Sequence, residues 1–254
     1  MRLTAQYRAD VCDFLRMDAP ANIFLLSLLE HAQRSKPHSL MADGELFAFP
    51  SAKHIEGVVY VSRHGLMVPY SLNLEQAFGM GDFFRDRIAP RMVVGPRDIC
   101  DAFWKGLKMR QPARIERSHQ LYTLQANQLS PTDDSDVQMA TLSDLERCCA
   151  VAAEMQLEEL GVDPMVVDPD RFRNRIGALI ENQTIYFLEH GCQVGFQASA
   201  DSRCLEGVQI QGVITPKGLR GRGLASRGLA GMCRIIFVSY PLITLHVNED
   251  NLGA

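Results

Sequence analysis

Residues 212–226 read GVITPKGLRGRGLAS: an apolar, strand-like run breaks at Pro216 and restarts as helix after a stretch dense in glycine and arginine. A loop between a strand and a helix exposes the first unpaired backbone N–H groups of that helix, and with the helix dipole these make a local anion site. Gly221 and Gly223 let the backbone approach a bulky anion and take up conformations closed to residues with a Cβ, while Arg220 and Arg222 can add charge-assisted hydrogen bonds. The stretch therefore reads as a pyrophosphate cradle, against the plainer reading of a surface turn with solvated arginines. Two familiar phosphate loops do not fit. A P-loop needs a lysine that this stretch lacks at the required place. A dinucleotide fingerprint needs GxGxxG, whereas the glycines at 218, 221 and 223 give the reverse order.

Outward from this loop, the pattern is regular. Three β-type runs precede it, TIYFLEH at 184–190, QVGFQASA at 193–200 and LEGVQIQGVIT at 205–215, and the short turns between the first two predict an antiparallel meander. After it, Leu229, Met232, Cys233 and Ile236 recur at helical spacing over 224–237, and LITLHV at 242–247 is a last strand. Upstream, VQMATLSDLERCCAVAAEMQLEEL reads as a strand running into a helix with Ser143 as N-cap and Glu146 three residues on. Residues 168–182 form a second helix through Phe172, Ile176, Leu179 and Ile180.

The clearest boundary is NQLSPTDDSD at 127–136, read as a linker between modules 1–126 and 135–254. The first module has two helices broken near Pro20, β-type runs ELFAFP and GVVYVS, RMVVG leading into the helical ICDAFWKGLKM, and HQLYTLQA at 119–126 as its closing strand. The expected order is α, α, β, β, α, β, α, β.

Composition sets limits on function. A chain of 254 residues that is 46% hydrophobic can bury a real core, and its net charge of −4 argues against nucleic acid as a partner. No apolar run approaches a membrane span and the N-terminus is charged throughout, which predicts no membrane association and a cytoplasmic protein. The seven cysteines are scattered, without CxxC spacing, so neither a disulfide framework nor a metal site is expected, and buried reduced thiols are.

Arg220, Gly221, Arg222, Gly223, Leu224 and Ala225 fit R/Q-x-x-G-x-G/A, and the ordered set of strand, T-P, loop, helix, strand and N-x-x-A from Asn251 to Ala254 resembles the coenzyme A core of the GNAT superfamily of N-acetyltransferases. The chain as a whole is similar to members with two modules. The resemblance implies an α+β fold of tandem GNAT-like modules, each a mostly antiparallel central sheet flanked by helices. It implies acetyl-CoA as cosubstrate, with no metal, and an amine acceptor, a small molecule or a protein lysine, attacked directly at the thioester. Backbone groups at Val213, Ile214 and Thr215 would pair with the pantetheine arm beside a strand that splays away. The N–H groups from Gly221 to Ser226, including Leu224 and Ala225, would take the pyrophosphate, and Asn251 would bond the cofactor arm.

The base is less legible. The resemblance places a strand carboxylate at position 209, where this chain has Gln209, and an amide cannot accept a proton at neutral pH. Glu158 and Glu159, at the end of the helix after the linker, are candidate water-mediated bases or ordinary solvated helix charges. His246 either lines the cleft or is a hydrogen-bonded structural histidine. A noncatalytic CoA-binding sensor or interaction module is the competing function. The first module lacks the loop motif, with RMVVGPRDICDAF as its nearest counterpart, and reads as a degenerate copy that shapes the acceptor cleft or serves as inert scaffold. The resemblance further implies a thiolate-protonating tyrosine at position 258, in a natural chain longer by ~25 residues, and LITLHV without the neighbour that normally covers its edge.

Overall fold

A computed structural model describes residues 1–36, 38–130 and 136–251; residues 131–135 of the expected linker and Ala254 of the N-x-x-A motif lie outside these. The chain divides into two compact units, residues 1–120 with the described residues from Asn248 onward, and Leu121–Val247.

In the first unit, α1 (Arg8–Arg16) and α2 (Ala19–Ser35) are separated at Met17 and Asp18, with Pro20 in the first turn of α2, where its missing N–H costs nothing. An antiparallel meander follows: β1 (Glu45–Pro50), β2 (Ile55–Val61) and β3 (Leu66–Ser71). Then come α3 (Leu74–Phe84), β4 (Met92–Val93) parallel to β3, and α4 (Arg97–Leu107). The sheet order is β1-β2-β3-β4. One core of this unit forms where Phe49, Val59 and Met67 of the sheet meet Met80, Phe84, Phe103 and Leu107 of α3 and α4. The expected order lacked β3, whose signal Pro69 obscures. The strand tolerates that proline because β4 pairs only with Leu66 and Met67, so the missing N–H can face an unpaired side.

The second unit carries a six-stranded sheet. Its elements are β5 (His119–Gln125), β6 (Val137–Met139), α5 (Leu145–Leu160), the short α6 (Pro164–Val167), α7 (Pro169–Glu181), β7 (Ile185–His190), β8 (Gln193–Cys204), β9 (Gly207–Ile214), α8 (Leu224–Phe237) and β10 (Leu242–Asn248), with strand order β5-β10-β9-β8-β7-β6. β6 to β9 pair antiparallel, while β10 runs parallel to β9. Strand alternation supplies two cores. Tyr186, Leu188, Phe196, Val208, Ile210 and Ile243 face Leu224, Met232, Cys233 and Ile236 of α8. On the other face Ile185, Phe187, Val194 and Ile214 meet Cys148, Cys149, Phe172 and Ile176 of α5 and α7.

Three sequence expectations change here. HQLYTLQA does not close the first sheet; as β5 it flanks β10 in the second, so the edge of LITLHV is covered. The cap before α5 is Thr141 with Asp144, not Ser143 with Glu146, because a 3-10 turn at Leu142–Asp144 starts the helical stretch two residues early. Glu146 is drawn instead into an ion pair with Arg173 at 2.9 Å.

Both units repeat one pattern: helices, a three-stranded meander, a helix, then a strand parallel to the last of the meander. The topological counterpart of the loop at 215–223 is therefore the β3–α3 turn near Asn73, and not RMVVGPRDICDAF, which contains the parallel strand β4 and leads into α4. In that turn Asn73 caps α3 by accepting from the Gln76 N–H at 2.7 Å, and Glu75 sits in the first turn. A capped, acidic helix start without glycine has no place for a phosphate.

All seven cysteines are free thiols, four of them buried, while Cys192 is exposed. Among the described residues no group of three or more His, Cys, Asp or Glu side chains could hold a metal ion, and no helix is long and apolar enough to cross a membrane.

Candidate functional site

The site begins where β9 and β10 part. Their register runs Ile243↔Val208, Thr244↔Gln209 and Leu245↔Ile210, and past Ile210 the two strands share no further pair among the described residues. β9 stays paired with β8 on its other side, at Ser199↔Gln211 and Gln197↔Ile214, with one extra residue on β9 between these positions. Gly212 makes that bulge at φ 61°, a left-handed conformation that a Cβ would strain. The bulge turns β9 away from β10 and leaves the backbone at Val213 and Ile214 without a strand partner on the β10 side. Thr215 follows, its hydroxyl buried and without a partner among the described residues.

The loop then makes a short 3-10 turn at Lys217–Leu219 and reaches α8 through Gly221 at φ 73° and Gly223 at φ 72°. Gly223 is the N-cap, so no side chain caps the helix, and no acidic residue lies in its first turn. The first helical bond from the loop is Arg227 N–H to Gly223 O at 3.1 Å. The N–H groups of Leu224, Ala225 and Ser226 thus precede the helical ladder and point out of the helix start. A Cβ built at Gly221 or Gly223 meets nothing within 4 Å. Open space, free donors and a positive dipole end coincide at one point, as an anion requires.

The arginines divide their work. Arg220, expected to reach the anion, instead donates to Thr215 O at 2.9 Å and to Glu158 at 2.7 Å. Lys217 donates its backbone N–H to Glu154 at 2.8 Å and its ammonium lies 3.2 Å from Glu158. Glu154 and Glu158, one helical turn apart on α5, therefore pin both ends of the loop. Arg222 is exposed and approaches His190 at 3.4 Å, with no bond to the α5 carboxylates that hold Arg220 and Lys217 among the described residues.

The hydrogen bond from Arg220, with Lys217 beside it, holds the Glu158 carboxyl below its ordinary pKa. An ion-paired carboxylate of lowered pKa is a poor proton acceptor, so the geometry gives Glu158 an anchoring role. Glu159 is exposed on the same helix. Asn251 is exposed, with its N–H on Asn248 O at 2.9 Å, and lies with the residues of the other unit.

The sheet face opposite α8 has its own character. Residues directly paired across strands share a face, so Ser202, Gln209 and Thr244 lie side by side, followed by Ser199 and Gln211. Gln211 Nε2 donates to Ser202 at 3.1 Å, while the fully buried Thr244 hydroxyl has no partner among the described residues. Sequence reasoning marked Gln209 but missed Glu154 and Thr244. Glu154 and Glu158 show the i, i+4 spacing that could have raised them, but the cations they meet are some 60 residues distant, 62 in the case of Arg220.

No family model matches the chain, and no curated protein matches it. Solved structures do. An X-ray structure of a Drosophila protein superposes with a TM-score of 0.69 at 12% identity, over 99% of this chain and 90% of that one. A GNAT-family acetyltransferase from Colwellia psychrerythraea superposes with a TM-score of 0.53 at 14% identity, over 82% of this chain and 77% of that one. The chain has the GNAT acetyltransferase fold, a mixed α+β architecture of two sheets flanked by helices.

Proposed function

We propose that the C-terminal half, from about residue 135 onward, is an acetyltransferase domain that moves an acetyl group from acetyl-CoA to a primary amine. The carrying observation is the conjunction of a strand pair that parts at Ile210 and an uncapped helix start that opens beside it. The open β10 side of Val213, Ile214 and Thr215 would pair with the pantetheine arm, and the N–H groups from Gly221 to Ser226, with Arg222, would hold the diphosphate. The amine nitrogen adds to the thioester carbonyl, the C–S bond breaks, and the thiolate and the ammonium exchange a proton through solvent. The products are an N-acetyl amine and CoA thiol. The N-terminal half, residues 1–126, is read as a degenerate copy that lacks the loop motif.

The test is free-thiol release from acetyl-CoA over a panel of primary amines, with CoA binding followed by calorimetry on the same protein. Turnover above the buffer rate supports the transferase. Tight binding without turnover on any amine supports the second reading, a noncatalytic CoA sensor, which Gln209 at the expected base position favours.

A further inference from the structure

His190 is the last residue of β7 and is exposed, at the end of the sheet where the glycine-arginine loop enters α8. Alternation from Leu188, which faces α8, puts His190 on the same face. Beside it β8 carries one residue more than β7: the register runs Leu188↔Phe196 and then Glu189↔Val194, so Gly195 is the extra residue. A Cβ on Gly195 would lie 2.9 Å from Cβ of His190 and 3.1 Å from Cδ1 of Leu224, the first residue of α8. The missing side chain thus lets the histidine sit beside the helix start. There its Nε2 lies 3.4 Å from Nη1 of Arg222.

The chemistry of that contact fixes a protonation state. A guanidinium has donors only and keeps its proton, so a hydrogen bond from Arg222 requires Nε2 to accept and the imidazole to be neutral, with its proton on Nδ1. A protonated His190 would instead set two like charges side by side. An anion in the cradle reverses the balance, because guanidinium and imidazolium can share it and a neighbouring anion favours the charged imidazole.

We propose that His190 is the proton-linked partner of Arg222 in binding the cofactor diphosphate: without ligand the neutral imidazole holds the guanidinium, and CoA binding takes up a proton at His190, so that both side chains meet the anion as cations. The inference rests on the reading of the loop as the CoA site. It makes CoA affinity fall as pH rises through the range in which histidines titrate.

The other charged groups around His190 are paired elsewhere. Glu189, its neighbour on β7, is held by Arg147 of α5. Asp136, just before β6 on the other side of β7, meets Arg227 of α8 at 3.5 Å. The turn into β8 carries the exposed thiol of Cys192, and Gln193 is the residue paired with His190 across the hairpin. Among the described residues no carboxylate bonds His190 in place of the ligand.

Calorimetry of CoA binding to the full chain, in buffers of different ionisation enthalpy, counts the protons taken up. An ordinary imidazole that holds its proton about tenfold more tightly in the complex gains about half a proton at pH 7. The wild type should therefore take up about half a proton more than His190→Gln, since the cofactor's own ionisations are common to both. From pH 6 to pH 8 the affinity advantage of the wild type over that variant should shrink about fivefold. His190→Lys, a permanent cation, should bind CoA at pH 8 at least as tightly as the wild type and without the extra proton. Equal uptake in the wild type and His190→Gln, or a His190→Lys variant weaker than His190→Gln at pH 8, overturns the inference and leaves the cofactor reading standing. Complete loss of CoA binding in His190→Gln also overturns it, because a charge effect of this size is worth only about tenfold. Failure of the wild type to bind CoA overturns both.

Discussion

Arg220 donates to Glu158 at 2.7 Å and to the carbonyl of Thr215 at 2.9 Å, and so braces the loop that leads into α8 against the end of β9 and against α5. Arg220 is thus a strut, and under the proposed reading the anion would fall to the backbone donors and to Arg222.

Glu158→Gln should loosen the loop without unfolding the protein, since a solvent-facing pair of this kind contributes ~0–1 kcal/mol to stability. The expected readout is a several-fold weaker affinity for CoA. The folded carboxyl has a lowered pKa, so the bracing is fully present above the ordinary value of 4.5 and is lost as pH falls through the folded value. Calorimetry with CoA from pH 7 to pH 4 checks this: the wild type should retain the advantage over the variant until the pH falls below the ordinary carboxylate range. An equal affinity for both proteins at pH 7 would remove Glu158 from the loop's support.

Gly223→Val should cripple the cradle, because it forces a β-branched residue into φ 72° and fills the space in front of the first donors of α8. Left-handed strain of about 1–2 kcal/mol is small beside the stability of a domain. CoA affinity should fall at least tenfold while circular dichroism stays native; unchanged affinity would take the loop out of the cofactor site.

Gly228→Ala tests how closely α8 sits on the sheet. A Cβ there would lie 2.2 Å from Cγ of Phe196, which is fully buried in β8, so the helix or the ring must move. Overpacking of this kind costs about 1–3 kcal/mol. Thermal unfolding should show the loss, and because α8 carries the cradle, CoA binding should weaken with it. A stability equal to wild type would contradict the packing described.

Thr141→Ala separates the observed cap from the one its sequence suggested. Thr141 and Asp144 satisfy each other's backbone N–H groups, with the Thr141 N–H on Asp144 at 2.9 Å. Loss of such a cap costs ~1 kcal/mol. Ser143→Ala removes only its hydroxyl contact with Thr141 and should be close to neutral in denaturant unfolding. The reverse ranking would restore Ser143 as the cap.

What the sequence determined by itself is local. The alternation in 184–215, the helical stripe through Leu229, Met232, Cys233 and Ile236, and the glycine-rich helix start at 221–226 are short-range patterns, and they reappear as β7 to β9, α8 and its uncapped first turn. Tertiary structure decided what depends on partners distant in the chain. The β-type run at 119–126 carries no mark of the sheet it will join, and it joins β10 because strand pairing is a choice among edges that propensity does not make. Arg220 and Glu158 lie 62 residues apart, so no spacing rule links them, and their ion pair exists only because α5 packs over the end of β9. The buried hydroxyl of Thr244, without a partner among the described residues, likewise arises from register: Gln209 and Thr244 are ordinary polar residues until β9 and β10 align them and then part.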